Sequence, residues 1–148
     1  MPPYVIAEIS GNHNGDIGRA KALIKVAKES GADAVKFQTY DADSLTLDLN
    51  DPRFRISGGS WSGKNLYELY QEASTPWLWF KELFEFAKLI DITAFSTPFC
   101  NRSFDLLESL EVPAYKIASN EITDWPLVQK VARSGRPVIL STGTASKD

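Results

Sequence analysis

The chain has 148 residues, 43% hydrophobic and 24% charged, which excludes a disordered, collagen-like or low-complexity protein and allows one real core. Lys plus Arg number 16 against 19 Asp plus Glu, a net charge of −3, so no basic nucleic-acid footprint is present. One cysteine, Cys100, cannot form an internal disulfide, the N-terminus MPPYVIAEIS lacks the regions of a signal peptide, and no apolar run approaches the ~20 residues that span a bilayer. A cytoplasmic protein with neither a membrane nor a nucleic-acid partner is expected.

Residues 5–10 form the first predicted strand, apolar at its start and polar at its end. Ile17, Ala20, Leu23, Ile24 and Ala27 then recur at helical spacing, with Gly31 as the stop. A second strand covers 34–40. Residues 41–75 are a long insert containing Gly58, Gly59 and the run Ser60 to Gly63, and 65–73 predict a short helix in its second half. Thr75 and Pro76 read as cap and first-turn proline of a helix striped by Trp77, Phe80, Leu83, Phe84 and Ala87. A strand over 93–99 is followed by helical Phe104, Leu107 and Leu110. A strand over 114–120 precedes helical Leu127, Val128, Val131 and Ala132, which end at Gly135. The last strand is 138–142.

Strict β-α alternation with short connections predicts an α/β fold with parallel strands and right-handed crossovers. Two architectures satisfy it, an open doubly wound sheet or part of a (β/α)8 barrel. After strand one stands Gly11-Asn12-His13-Asn14-Gly15, which lacks the G-x-G-x-x-G spacing of a dinucleotide fold. The barrel is favoured. A complete one needs about 250 residues, so residues 1–148 are expected to be its N-terminal part, stopping at about the fifth strand.

The carboxyl end of every strand turns polar: Glu8 and Ser10; Lys36 and Gln38; Ser96 and Thr97; Lys116, Ser119 and Glu121; Ser141 and Thr142. In parallel α/β folds that edge builds the active site. Lys36 and Gln38 lie two apart and share one face, while Val35 and Phe37 face the helix layer. Either lysine alone reads as a salt-bridged side chain, with Glu8 and Glu121 as partners for Lys116. Two lysines, two glutamates and several hydroxyls converging on one rim instead predict a site for an anionic ligand, in which ammonium groups supply charge and hydroxyls supply directed donors. The lone His13 cannot build a multi-histidine metal site; a polar loop role and a functional one stay open. Cys100 reads as buried filler. The aromatic residues between Trp61 and Phe86 read as core and lid packing, not a stacking surface for bases.

The segments Ala7-Glu-Ile-Ser-Gly-Asn-His-Asn-Gly15, Gly31-Ala-Asp-Ala-Val-Lys-Phe-Gln-Thr39, Phe95-Ser-Thr-Pro-Phe99, Pro113-Ala-Tyr-Lys-Ile-Ala-Ser119 with Glu121, and Leu140-Ser-Thr-Gly143 resemble the sialic acid synthase family, in the family's order and over essentially the whole chain. Gly58-Gly-Ser-Trp61, Asn65-Leu-Tyr-Glu-Leu-Tyr70 and Thr75-Pro76 are most similar to its pseudaminic acid synthase branch. The resemblance implies a (β/α)8 enzyme that condenses phosphoenolpyruvate with an open-chain N-acetylated amino sugar and releases phosphate. In that chemistry C3 of phosphoenolpyruvate attacks the aldehyde, water adds at C2, and C–O cleavage expels phosphate. Implied roles are phosphoenolpyruvate binding by Lys36, Thr97, Lys116, Ser119 and Ser141, sugar binding by Gln38 and Glu121, proton transfer by Glu121, and a place for Glu8 near a divalent metal and its water. The metal, of Mn or Mg type, would be held mainly by histidines beyond this chain and would polarise the aldehyde. Three further strands, a C-terminal antifreeze-like domain and a homodimer also belong to the pattern. The chain alone is therefore expected to show little synthase activity. Alternatives are the N-acetylneuraminate or legionaminate branch, a non-catalytic half-barrel binding phosphate or sugar ligands, and a doubly wound nucleotide-binding domain.

Overall fold

A computed structural model describes residues 2–143, 145 and 146. Its five strands, β1 (Ile6–Glu8), β2 (Ala34–Thr39), β3 (Thr93–Pro98), β4 (Tyr115–Ile117) and β5 (Val138–Leu140), are all parallel and lie side by side in chain order. Each crossover advances one place in the same direction. A doubly wound sheet needs a reversal of that order, and none occurs. The result is a half-barrel with its helices on the outer face.

The helices are α1 (Ile17–Glu29), α2 (Ala42–Leu45), α3 (Leu66–Ala73), α4 (Trp79–Leu89), α5 (Asn101–Ser109) and α6 (Trp125–Arg133). Asp16 caps α1 by accepting from the N–H groups of Gly18 and Arg19, and Gly31, at φ +86, lets the chain leave the helix. Asp124 caps α6 by accepting from the Leu127 N–H, with Pro126 in the first turn.

Strand pairing fixes which side chains look inward. Phe37 lies opposite Ser96 and Ser96 opposite Tyr115, and this row faces the helices. Behind it are two packed clusters. Ile24, Phe37, Phe80 and Leu83 join α1 and α4 to the sheet, and Phe104, Leu107, Tyr115, Leu127 and Val131 join α5 and α6 to it. The other parity, Glu8 opposite Lys36, Lys36 opposite Phe95, and Gln38 opposite Thr97, faces the barrel interior. At the two sheet edges, Val5, Ile6 and the whole of β5 are exposed.

Two local expectations are corrected and a third is extended. Helix α4 starts at Trp79, not behind a Thr75 cap: residues 76–79 form a turn closed by the Trp79 N–H on the Pro76 carbonyl, 2.9 Å, and the Thr75 hydroxyl is engaged by His13. Cys100 is half-buried at the start of α5, where its Sγ accepts from the Ser103 N–H, so it caps a helix and fills no core space. The insert is more structured than its second-half helix alone: it holds α2, short 3-10 turns at Pro52–Phe54 and Gly59–Trp61, and an antiparallel bridge between Arg55 and Asn65. Among the described residues no helix is long and apolar enough to cross a membrane.

Candidate functional site

The inward row carries the chemistry. Lys36, in the middle of β2, is mostly buried and forms an ion pair with Glu8 of β1. The Lys36 ammonium also lies 3.5 Å from the Thr97 hydroxyl on β3, and Glu8 accepts a hydrogen bond from the Ser10 hydroxyl, 2.8 Å. One step beyond the Ser96–Tyr115 pair, Thr97 of β3 and Lys116 of β4 share the interior face. The Lys116 ammonium donates to Ser141 Oγ at 2.5 Å and to the Ile117 carbonyl at 2.6 Å. Ser119 stands beside the turn after β5, since a Cβ on Gly143 would lie 3.6 Å from Ser119 Cβ. The structure thus brings Lys36, Thr97, Lys116, Ser119 and Ser141 to one rim, with Gln38 on the same face as Thr97. Ser96, polar and next in sequence, points the other way and bonds Thr39 at 2.7 Å in the helix-facing layer.

The electrostatics show that these groups sense one another. The Lys116 ammonium is shifted below its ordinary pKa, first by burial and then by the positive charge of Lys36, with Glu121 and Glu8 partly restoring it. Placing two partly desolvated ammonium groups within reach of each other's charge opposes folding unless something anionic offsets them. Glu8 neutralises one. Glu121, in the single 3-10 turn Glu121–Thr123 after β4, is shifted upward, chiefly by burial, and its Oε2 is buried without a hydrogen-bond partner. An orphaned carboxylate oxygen at a rim of cations and hydroxyls is an acceptor position, or a proton position, waiting for a ligand.

That orphan has a measurable consequence. A carboxyl whose folded pKa lies above the unfolded value contributes most stability when protonated; the contribution is fully present below the unfolded value near 4.5 and is lost as pH rises through the higher folded value. Glu121→Gln is therefore expected to raise Tm by about 2 °C at pH 7.5, a figure discounted for partial exposure, and to give no gain at pH 4. Thermal melts followed by circular dichroism check it.

The residues do not by themselves build a divalent-metal site. Among the described residues no group of three His, Cys, Asp or Glu side chains lies together. His13 is occupied elsewhere, and Glu8 is held by Lys36 and Ser10. Among the described residues only Glu121 has a buried side-chain oxygen without a hydrogen-bond partner.

Two side chains near the rim gave no clear sequence signal. His13 is fully buried, bonded to Thr75 and stacked edge-on against Trp79, with ring centroids 5.4 Å apart. Its partner is 62 residues away, so no local pattern reveals it. Tyr40, at the end of β2, lies between the rings of Tyr70 and Phe99, 5.9 and 5.4 Å away. Burial and the Tyr70 hydroxyl push its phenol up to about 12.

Comparison with known proteins agrees with the half-barrel fold. Residues 23–148 match the NeuB family. Pseudaminic acid synthase of Helicobacter pylori is 51% identical over 146 residues, covering 99% of this chain and 43% of that protein. Pseudaminic acid synthase of Campylobacter jejuni is 44% identical, covering 98% and 42%. Legionaminic and N-acetylneuraminate-9-phosphate synthases match at lower identity. The crystal structure of N-acetylneuraminic acid synthetase from Leptospira borgpetersenii, in complex with citrate, superposes with a TM-score of 0.82 at 31% identity, covering 99% of this chain and 47% of that one. The chain spans less than half the length of these relatives.

Proposed function

The chain belongs to the NeuB family, and on that premise we propose that it is the phosphoenolpyruvate-binding part of a nonulosonic acid synthase. The observation that carries the reading is that Lys36 and Lys116 both lie on the interior face, in β2 and β4, each with a hydroxyl beside it, Thr97 and Ser141. Phosphoenolpyruvate carries a carboxylate and a phosphate, so it needs two cations and several directed donors at short range. In this reading Lys36 and Lys116 neutralise the ligand, and Thr97, Ser119 and Ser141 orient it. Glu8 holds the Lys36 ammonium and borders the position from which water reaches C2. Gln38 and Glu121 face the amino sugar, with Glu121, whose carboxyl burial pushes upward, placed to give a proton to a developing alkoxide.

Pseudaminic acid chemistry is the favoured branch, because the segments at 58–61 and 65–70 carry that branch's pattern and a pseudaminic acid synthase is 51% identical. A legionaminate or N-acetylneuraminate synthase would use the same phosphoenolpyruvate grip with another sugar. A reducing cytoplasm suits the half-buried thiol of Cys100.

Isothermal titration of the chain with phosphoenolpyruvate tests the reading. Saturable binding is expected, together with little or no phosphate release when the acetamido sugar is added, because a five-stranded open sheet leaves the acceptor side only partly walled. Absence of saturable binding would overturn it.

A further inference from the structure

The insert at residues 41–75 forms no strand pairing with the sheet among the described residues, yet it rests on the rim at both ends. At its start, Arg102 bonds Asp41 at 2.9 Å, and the Trp77 indole N–H donates to the Tyr40 carbonyl at 3.0 Å. At its end the attachment runs to the loop between β1 and α1. A Cβ on Gly11 would lie 2.6 Å from the Ala73 carbonyl oxygen, so the last residue of α3 abuts that loop backbone to backbone. Two residues on, Thr75 meets His13, and both side chains are buried.

The His13 ring can satisfy its neighbours in one form only. The Gly15 N–H donates to Nδ1 at 3.1 Å, so Nδ1 is an acceptor, and the ring proton sits on Nε2, which donates to the Thr75 hydroxyl at 3.0 Å. Burial disfavours the charged imidazolium as well. The same loop begins at Ser10, whose φ of +43 turns its hydroxyl back onto Glu8. The end of α3 is thus tied through Thr75 and His13 to the same loop whose Ser10 bonds Glu8, the partner of Lys36.

We propose that His13, in its neutral Nε2–H form, is a positioning residue that latches the end of the insert to the β1–α1 loop and so sets the insert's place relative to Glu8 and Lys36. The inference rests on the functional reading only in taking the insert as a wall of the acceptor side; its test needs no ligand. Hydrogen exchange of the chain at pH 7 is compared for wild type, His13→Ala, Thr75→Val, the double variant and His13→Gln. Each single variant is expected to speed exchange of residues 66–75 about tenfold while β3 and α5 keep their protection. The double variant should be no faster than either single, because both remove one contact. His13→Gln, whose amide reaches Thr75, should restore at least about half of the lost protection. Unchanged exchange at 66–75, or a uniform rise across the sheet, would overturn the latch. On the wild type, two-bond proton–nitrogen spectra should show Nε2 protonated and Nδ1 bare; a protonated Nδ1 would overturn it independently. A chain that binds no phosphoenolpyruvate but shows this local pattern would sink the functional reading and leave the latch standing.

Discussion

Lys116→Met is expected to weaken phosphoenolpyruvate binding to the chain by about a hundredfold, or ~2.7 kcal/mol, in the range measured when one partner of a close, partly desolvated charge pair is removed. Methionine keeps most of the stem that packs beside Ile117 and Ser141 but deletes the ammonium. The anion would then face Lys36 alone, and Lys36 is already half-spent on Glu8. The fold should not suffer. Burial and the neighbouring Lys36 both disfavour the charge on Lys116, so removing it relieves repulsion, and Tm should stay level or rise. Calorimetric titration and a thermal melt on the same sample separate the two effects. A variant that binds as tightly as wild type would remove Lys116 from the site.

The largest stability effect is expected at Phe37. Its side chain is fully buried and packs edge-on to Phe80, centroids 6.1 Å apart, and at a tilt to Phe84, 5.7 Å. It is the point at which β2 meets α4. Phe37→Ala removes that aromatic contact and leaves a cavity, at a cost of about 3–5 kcal/mol, a large share of the ~5–15 kcal/mol that holds a domain together. With an m-value of about 2 kcal/mol/M, the urea midpoint should fall by roughly 1.5–2.5 M. Phe37 sits between Lys36 and Gln38, so binding should fail along with the fold. A cost below about 1 kcal/mol would show that this cluster is not the core that positions the rim.

Much of this architecture can be read from alternation along single strands. Lys36 and Gln38 two apart, alternating with Val35 and Phe37, already separate an inner face from a helix-packed one. The same alternation, repeated in later strands with polar ends, predicts that the lysines share one rim. What cannot be read is anything that depends on register or on a distant partner. Ser96 and Thr97 are equally polar, and only the pairing of Gln38 with Thr97 and Phe37 with Ser96 decides that Thr97 faces the site and Ser96 the helices. Thr75 before Pro76 has the local signature of a helix cap, but the buried His13 ring claims its hydroxyl, and the helix begins four residues later. Cys100 looks like an inert small hydrophobe until the turn of α5 places the Ser103 N–H over its sulfur. In each case the deciding contact is set by tertiary packing, which outweighs local propensity.

The most direct measurement is a crystal structure of the chain with phosphoenolpyruvate bound. One ligand is expected at the carboxyl ends of β2 to β4, its phosphate or carboxylate within hydrogen-bond reach of both ammonium groups and of Thr97 or Ser141. Density for the ligand at any other surface, or a bound ligand touching neither lysine, would contradict it.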